Sequence, residues 1–467
     1  MTNIVVEGGK YIMIAMIAIY VYQSFYVLWG QDADKKSRAF RIQDFTIFGI
    51  HLLANLAMLL KTGNVMILFL YMMQVAMFLS VLWVYGKIYQ KASRLVRNNM
   101  LLLLSIGFII ITRLSIDKAL KQSLIVAAAL AFSFVIPVLI RKLKFLGKLR
   151  NLYATIGILA LVAVLVIGQV SGGAKLGFQI GSFGVQPSEF VKILFVFFVA
   201  ASFHHSTKFG NVVFTTILAA LHVLILAVSK DLGAALIIFV VYLVMLYVAT
   251  RQPFYVLAGI GAGTMSAVMA YHLFEHVRLR VGVWMNPFAD YENAGYQVTQ
   301  SLFAIGTGGW FGTGLFRGKA HAIPVAAEDF VFSAISEEMG LLFAIGMLLV
   351  CVSCYMMILN IARQLHNRFY KLMALGLGTC YIFQTFLTVG GAMNFIPSTG
   401  VTLPLVSYGG SSALSTILMF AIIQGLYILK EEEEELERKR QQKQNRNATK
   451  REENRRTKRE GPKPRAN

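Results

Sequence analysis

The chain has 467 residues, of which 57% are hydrophobic and only 14% charged. A water-soluble domain needs roughly 25% charged residues to cover its surface, and the deficit persists along the sequence up to the charged tail, so lipid is the solvent for most of the chain. The net charge of +21 does not indicate nucleic acid, because the basic residues fall in that tail and in short loops between apolar stretches, where they orient a membrane protein or touch anionic headgroups.

About 20 apolar residues cross a hydrocarbon core. By that measure spans are expected near 11–29, 44–61, 64–86, 99–115, 119–140, 151–170, 188–205, 211–229, 231–250, 253–276, 328–360, 371–396 and 402–429. The expected fold class is all-α, a polytopic integral membrane protein of about 13 transmembrane helices. The first span lacks a strongly basic start and a small-x-small cleavage site, so it reads as an anchor and not as a signal peptide. Cys351, Cys354 and Cys380 all lie in apolar segments and read as small packing residues.

Basic loops then set the topology. Lys35, Lys36, Arg38 and Arg41 follow the first span; Lys87, Lys91, Arg94 and Arg97 follow the third; Arg141, Lys142, Lys144, Lys148 and Arg150 follow the fifth. Arg363, Arg368 and Lys371 precede the twelfth, and the tail from Lys430 holds fourteen Lys/Arg against nine Asp/Glu. All lie on one side if the number of spans is odd, with the N-terminus outside and the C-terminus cytoplasmic. The exception is the turn with Arg113, Lys118 and Lys121, which falls outside. A long segment, about 278–329, then faces outward, as does a shorter loop from Gly172 to Pro187. The tail reads as a helix leaving the membrane and passing into a disordered solvated arm.

Ionisable residues in or beside spans are costly, and each needs a partner or a role. Glu189 and Lys192 share a helix face at spacing i, i+3; Lys230 and Asp231 open the ninth span; Glu337 and Glu338 lie in the eleventh. By physics alone, structural pairing between helices is the favoured account of these three places. Asp290 lies in the long outer loop, followed by Gly306-Thr-Gly-Gly309 and Gly312-Thr-Gly314, whose glycines allow backbone to approach a ligand or membrane closely. His272 and His276 share a helix face by spacing, but no third metal ligand follows, so no metal site is expected.

Five motifs in order resemble one family. Gln186-Pro187-Ser188-Glu189 with Lys192 is similar to the Q-P-S-E-x-x-K signature of the SEDS proteins (shape, elongation, division and sporulation), which include FtsW and RodA. Asp231-Leu-Gly233-Ala-Ala resembles that family's D-L-G-T-A, and Asn286-Pro-Phe-x-Asp290 with Gly295, Gln297, Gln300 and Ser301 resembles its long outer loop. Asp329-Phe-Val-Phe332 with Glu337-Glu338-Met-Gly340 resembles D-F-I-F…E-E-L-G, and Pro397-Ser-Thr-Gly400 through Ser407-Tyr-Gly-Gly-Ser-Ser412 resembles the C-terminal signature. The likeness covers about 99–430. It departs from the family at Gly173-Ala174-Lys175, where an Arg-Trp pair is usual, at Ser229-Lys230 and at Pro324–Asp329.

The resemblance implies a three-helix extension over 1–98, a ten-helix core over 99–430 and a charged tail over 431–467. It implies peptidoglycan glycosyltransferase activity: an inverting polymerase of lipid II, acting on undecaprenyl-pyrophosphate-linked glycan at the bacterial plasma membrane. Asp290 matches the family's essential aspartate and is the expected base. Glu189, Lys192, Lys230, Asp231, Arg278, Arg280, Gln297, Gln300, Ser301 and Ser407 are expected around the substrate. The leaving pyrophosphate needs its charge stabilised by basic groups or by a divalent cation, Mg2+ or Mn2+. A class B penicillin-binding protein is the implied partner. The alternatives are a lipid II flippase, which the many spans and broken helices suit equally, and a non-catalytic scaffold of a cell-wall synthesis complex.

Overall fold

The computed structural model describes residues 2–30, 32–171, 174–180 and 183–459. Among these, thirteen helices are long and apolar enough to cross a membrane, so the chain is a multi-pass membrane protein. In chain order the helices are α1 (Thr2–Trp29), α2 (Ala33–Thr62), α3 (Val65–Lys87), α4 (Arg94–Leu114), α5 (Ile116–Ser133), α6 (Ile136–Lys142), α7 (Arg150–Ile167), α8 (Pro187–His205), α9 (Phe209–Val228), α10 (Leu232–Thr250), α11 (Pro253–Leu273), α12 (Glu275–Met285), α13 (Tyr296–Gly308), α14 (Val331–Met339), α15 (Leu341–Gln364), α16 (Arg368–Ala392) and α17 (Gly410–Arg459). α5 and α6 together make one span, interrupted before Pro137 in the first turn of α6, where the proline ring removes a backbone donor.

The centre of the bundle is α4, buried without interruption from Leu95 to Thr112. The three N-terminal helices help to enclose it: α2 packs on α4, α1 on α2 and α15, and α3 on α5. Polar contacts join them to the remaining spans. Tyr20 Oη donates to Asn99 Oδ1 at 2.9 Å, Asn99 Nδ2 to Ser353 Oγ at 3.0 Å, and Asn98 Nδ2 to Gln43 Oε1 at 3.2 Å. Such bonds are favourable within a bilayer because an unpaired amide has no water to turn to. Cys351, Cys354 and Cys380 are free and buried, as packing residues should be.

Three features differ from the sequence expectation. The apolar run expected as one span over 328–360 divides at Gly340, where φ is 90°. A Cβ there would lie 2.5 Å from the Gly312 nitrogen, so the break seats the outer loop directly on backbone. Thr313 N donates to Glu337 O and Leu341 N to Gly309 O, both at 2.9 Å. Glu337 and Glu338 therefore belong to the short α14, outside the eleventh span, and the 306–314 glycines serve backbone-to-backbone packing. Second, part of the 172–187 loop is a three-stranded antiparallel sheet, β1 (Gln169–Ser171), β2 (Ala174–Ile180) and β3 (Phe183–Val185) in that order; Gly172 and Gly173 lie outside the described residues. Third, the arm expected to be disordered is helical as far as Arg459. Pairs at i, i+4 support it, Glu434 with Lys430 at 2.9 Å and Glu435 with Lys439 at 2.6 Å. Residues 460–467 lie outside the described residues.

Contacts of this helix define one face of the molecule. Glu435 meets Lys91, Glu432 meets Arg141, and Glu433 meets His366, so the loops after the third and fifth spans and before the twelfth share a face with the tail. The opposite, loop-bearing face explains the exceptional basic turn. Arg113 holds Glu338 through Nη2 to Oε1 at 2.7 Å, and Lys118 holds Glu328 at 2.7 Å. Both cations are thus paired with acids of this face.

Candidate active site on the loop face

Asp231 is the N-cap of α10, its Oδ1 accepting from Ala234 N at 3.1 Å. Its Oδ2 accepts from Ser188 Oγ at 2.8 Å and Gln186 Nε2 at 3.3 Å, while Gln186 N donates to Ser411 Oγ at 2.9 Å. The start of α8, the start of α10 and the start of α17 thus converge, which is why motifs so distant in sequence lie together. Gly233 permits the approach: a Cβ on it would fall 2.2 Å from Val401 Cγ2. Lys230, at φ 64°, is exposed immediately before the cap.

Beside Lys230 opens a cleft of about 430 Å³, lined by Leu273, Phe274, Glu275, His276 and Leu279. One wall is the junction of α11 and α12. No residue of α11 is buried, so the cleft has a side that faces lipid. The chain leaves helical geometry at Phe274, with φ −114° and ψ 113°; His272 and His276 consequently stand on different helices and not on one face. Burial, then Lys230 and Arg280, hold the His276 imidazole below its ordinary value, so it is neutral at pH 7.

Arg280 turns inward from α12. Its Nη1 donates to Ser398 O at 3.1 Å, and Asp329 is its nearest electrostatic counterpart, with Asp231 next. Gly400, at φ 70°, lies between the two: a Cβ there would be 3.7 Å from Asp329 Oδ2 and 3.9 Å from Arg280 Nη2. Burial, then Glu328, push the Asp329 carboxyl up from 3.8 to about 6 against the pull of Arg280. Asp329 has no role in the sequence reading; its signal was a position at the very end of the long loop, directly before an apolar run. A carboxyl raised on folding stabilises the protein fully below its unfolded value and loses that contribution as pH rises through the folded one. Between pH about 4 and about 6, thermal stability is therefore expected to fall more in the wild type than in Asp329→Asn, as read by melting in detergent. Identical pH profiles would refute the assignment.

Asp290 lies on the turn between α12 and α13, exposed. Its partners are local: Asn293 Nδ2 donates to Oδ1 at 2.9 Å and Ala294 N to Oδ2 at 3.2 Å, and its carbonyl accepts from Gly295 N at 2.9 Å. The turn is held from beneath by Thr299, whose Oγ1 donates to Pro287 O at 3.1 Å, and by Asn394, whose Nδ2 donates to Trp284 O at 3.1 Å. The carboxylate is thus fixed in direction yet open to an incoming hydroxyl.

The remaining expected residues divide by burial. Arg278 and Gln297 are exposed on this face, and Gln300 Nε2 donates to Tyr291 Oη at 2.9 Å. Ser301 is buried, sharing a hydrogen bond with Ser333 and donating to Ala392 O at 2.7 Å, so it ties α13 to α14 and α16 and does not face a substrate. Ser407 is also buried, donating to Glu328 O and accepting from Leu403 N. Glu189 and Lys192, expected in the polar lining of a groove, are instead interior. Lys192 Nζ donates to Glu189 Oε1 at 2.9 Å and Gln384 Oε1 at 2.7 Å, and Ser415 Oγ donates to Glu189 Oε2 at 3.0 Å. That cluster joins α8, α16 and α17 as a polar bolt. Among the described residues no three His, Cys, Asp or Glu side chains converge as a metal centre.

Residues 93–432 match the family described as "Cell cycle protein", named for FtsW, RodA and SpoVE. The chain is 38% identical over 267 residues to "Peptidoglycan glycosyltransferase RodA" of Mycobacterium tuberculosis, covering 54% of this chain and only 57% of that relative's length. It is 34% identical over 346 residues to "Probable peptidoglycan glycosyltransferase FtsW" of Aeromonas salmonicida, covering 69% of this chain and 86% of that one. A solved chain described under "Structural coordination of polymerization and crosslinking by a peptidoglycan synthase complex" superposes with TM-score 0.62 at 24% identity, covering 73% of this chain and 98% of that one. The crystal structure of Thermus thermophilus RodA superposes with TM-score 0.54 at 23% identity, over 72% and 96% of the two chains. The match opens at residue 93, beside the start of α4, and leaves the first three spans outside it; from there to the start of the charged tail, the chain belongs to the FtsW/RodA/SpoVE (SEDS) family.

Proposed function

We propose that this chain is a peptidoglycan glycosyltransferase that polymerises lipid II at the outer face of the bacterial plasma membrane. The observation that carries the reading is Asp290, oriented but uncovered, on the same face as a lipid-open cleft lined by Lys230 and His276. In this orientation the loop face is extracellular, the N-terminus is outside and the tail is cytoplasmic, as the basic loops require.

Both substrates keep prenyl tails in the membrane and meet through their headgroups. The GlcNAc 4-hydroxyl of lipid II attacks C1 of the MurNAc at the growing strand's reducing end. The O4–C1 bond forms, the C1–O bond to pyrophosphate breaks, and the hydroxyl proton passes to a carboxylate oxygen of Asp290. An α-linked donor gives a β-1,4 product, so a single inversion and a single base are sufficient. Lys230, Arg278 and Arg280 attract the pyrophosphate as its charge develops, and the Ser398 carbonyl holds the Arg280 guanidinium. Undecaprenyl pyrophosphate leaves sideways along α11. A class B penicillin-binding protein would use the strand on the same side; the solved relative in a peptidoglycan synthase complex supports such a pairing.

The test is a proteoliposome assay with lipid II presented on the loop face. Glycan polymer is the expected product. Translocation of lipid II without polymer would replace this proposal with the flippase, and neither activity would leave the scaffold.

A further inference from the structure

We propose that the tail face carries a binding site for the headgroup of an anionic phospholipid, where the end of α10 meets the start of α16. A cavity of about 490 Å³ opens there, lined by Arg251, Arg368 and Lys371 together with Tyr247, Val248, Ala249 and Leu372. It lies at the opposite end of α10 from Asp231 and is separate from the candidate active site.

Three observations carry the site. Its cations lack acid partners: among the described residues no carboxylate pairs with Arg251, Arg368 or Lys371, although the same face carries the tail's glutamates. Those glutamates contact Lys91, Arg141, His366, Lys430, Arg438 and Lys439 instead. Second, the backbone presents these groups. Arg251 ends α10 at φ 55°, a conformation that ordinary side chains avoid, and its N–H closes on Tyr247 O at 2.7 Å. Arg368 Nη2 donates to Ala249 O at 2.6 Å, bracing the first turn of α16 against the end of α10. Arg368 and Lys371, at i, i+3, then stand on one face of a helix N-terminus whose dipole favours anions. Third, the rim is apolar and faces outward: Tyr247 is 51% exposed and Val248 40%. A basic cavity whose rim is bare hydrocarbon and aromatic surface fits a phosphate that brings acyl chains with it, and basic pockets between spans on the cytoplasmic side take such headgroups. Guanidinium forks match phosphate oxygens in pairs.

The experiment uses the full chain in detergent, stripped of lipid and titrated with short-chain phosphatidylglycerol, with bound lipid counted by native mass spectrometry. Wild type is expected to retain phosphatidylglycerol, and Arg251→Gln with Lys371→Gln to bind it on the order of 10-fold more weakly or worse. Arg368 is left intact to hold the helix end. Arg251→Lys with Lys371→Arg keeps the charges and should keep the lipid, which separates lost charge from a damaged fold. Equal binding by the Gln variant, or equal binding of phosphatidylcholine, would overturn the site. Competition by inorganic phosphate alone at equal concentration would make it a soluble-anion site. Preference for a polyprenyl pyrophosphate would make it a carrier-lipid site, and either result also refutes the proposal.

Discussion

Asp290→Asn is expected to lower lipid II polymerisation by about 10²- to 10⁴-fold, the usual contribution of a positioned base, while leaving the protein folded. The fold should survive because Asp290 makes only contacts within its own turn, and an asparagine retains one acceptor oxygen for the Ala294 N–H. A gel ladder of glycan products reads the activity, and monodispersity with unchanged melting reads the fold. Activity within tenfold of wild type would remove Asp290 from the reaction. Arg280→Gln should behave differently, because its guanidinium also ties α12 to Ser398; loss of both activity and stability is the outcome that distinguishes a positioned cation from a base.

The largest effect on stability is expected at Lys192. Its side chain is 2% exposed and its ammonium sits between Glu189 and Gln384. Lys192→Ala leaves the Glu189 charge in the interior with Ser415 as its remaining side-chain partner, and stranding one member of a buried pair costs about 3–5 kcal/mol. Melting temperature and yield of folded protein should both drop steeply. Replacing both residues, Lys192→Met with Glu189→Leu, should recover most of that loss, since an apolar pair of similar volume removes the stranded charge. If Lys192→Ala alone melts like wild type, the pair is not holding α8 to α16 and α17.

The thirteen spans were legible because their signal is local: length and hydropathy suffice when lipid is the solvent. The break at Gly340 was not, because it depends on Gly312 arriving from the outer loop to occupy the space a Cβ would take. The sheet over 169–185 was missed for a related reason, since its glycine-rich stretch shows no apolar alternation. The helical tail was misread because charge runs suggest a solvated arm, whereas here they alternate at helical spacing and reach Lys91 and Arg141. In the site, motif order brought Asp231, Asp290 and Asp329 into view, yet the roles rest on contacts made across the chain. Ser188 and Asp231 are 43 residues apart, Gln186 and Ser411 are 225 apart, and Arg280 and Ser398 are 118 apart. The partner of Arg113 could not be read locally either, since Glu338 lies 225 residues away. Burial then sorted what chemistry alone had grouped together: Ser301, Ser407, Glu189 and Lys192 build walls, while Asp290, Lys230 and Arg278 meet solvent.

α17 is one uninterrupted rod. Its first turns touch Gln186 and Glu189 on the loop face through Ser411 and Ser415, and its far end at Arg459 stands about 45 Å beyond Lys430 at 1.5 Å per residue. A rod of that length works as a lever with its fulcrum at the Lys91, Arg141 and His366 contacts. The same rigid element therefore carries the braces of α8 and α10 at its start and the tail-face ion pairs further along. The molecule thus has a mechanical handle on the face opposite the candidate site.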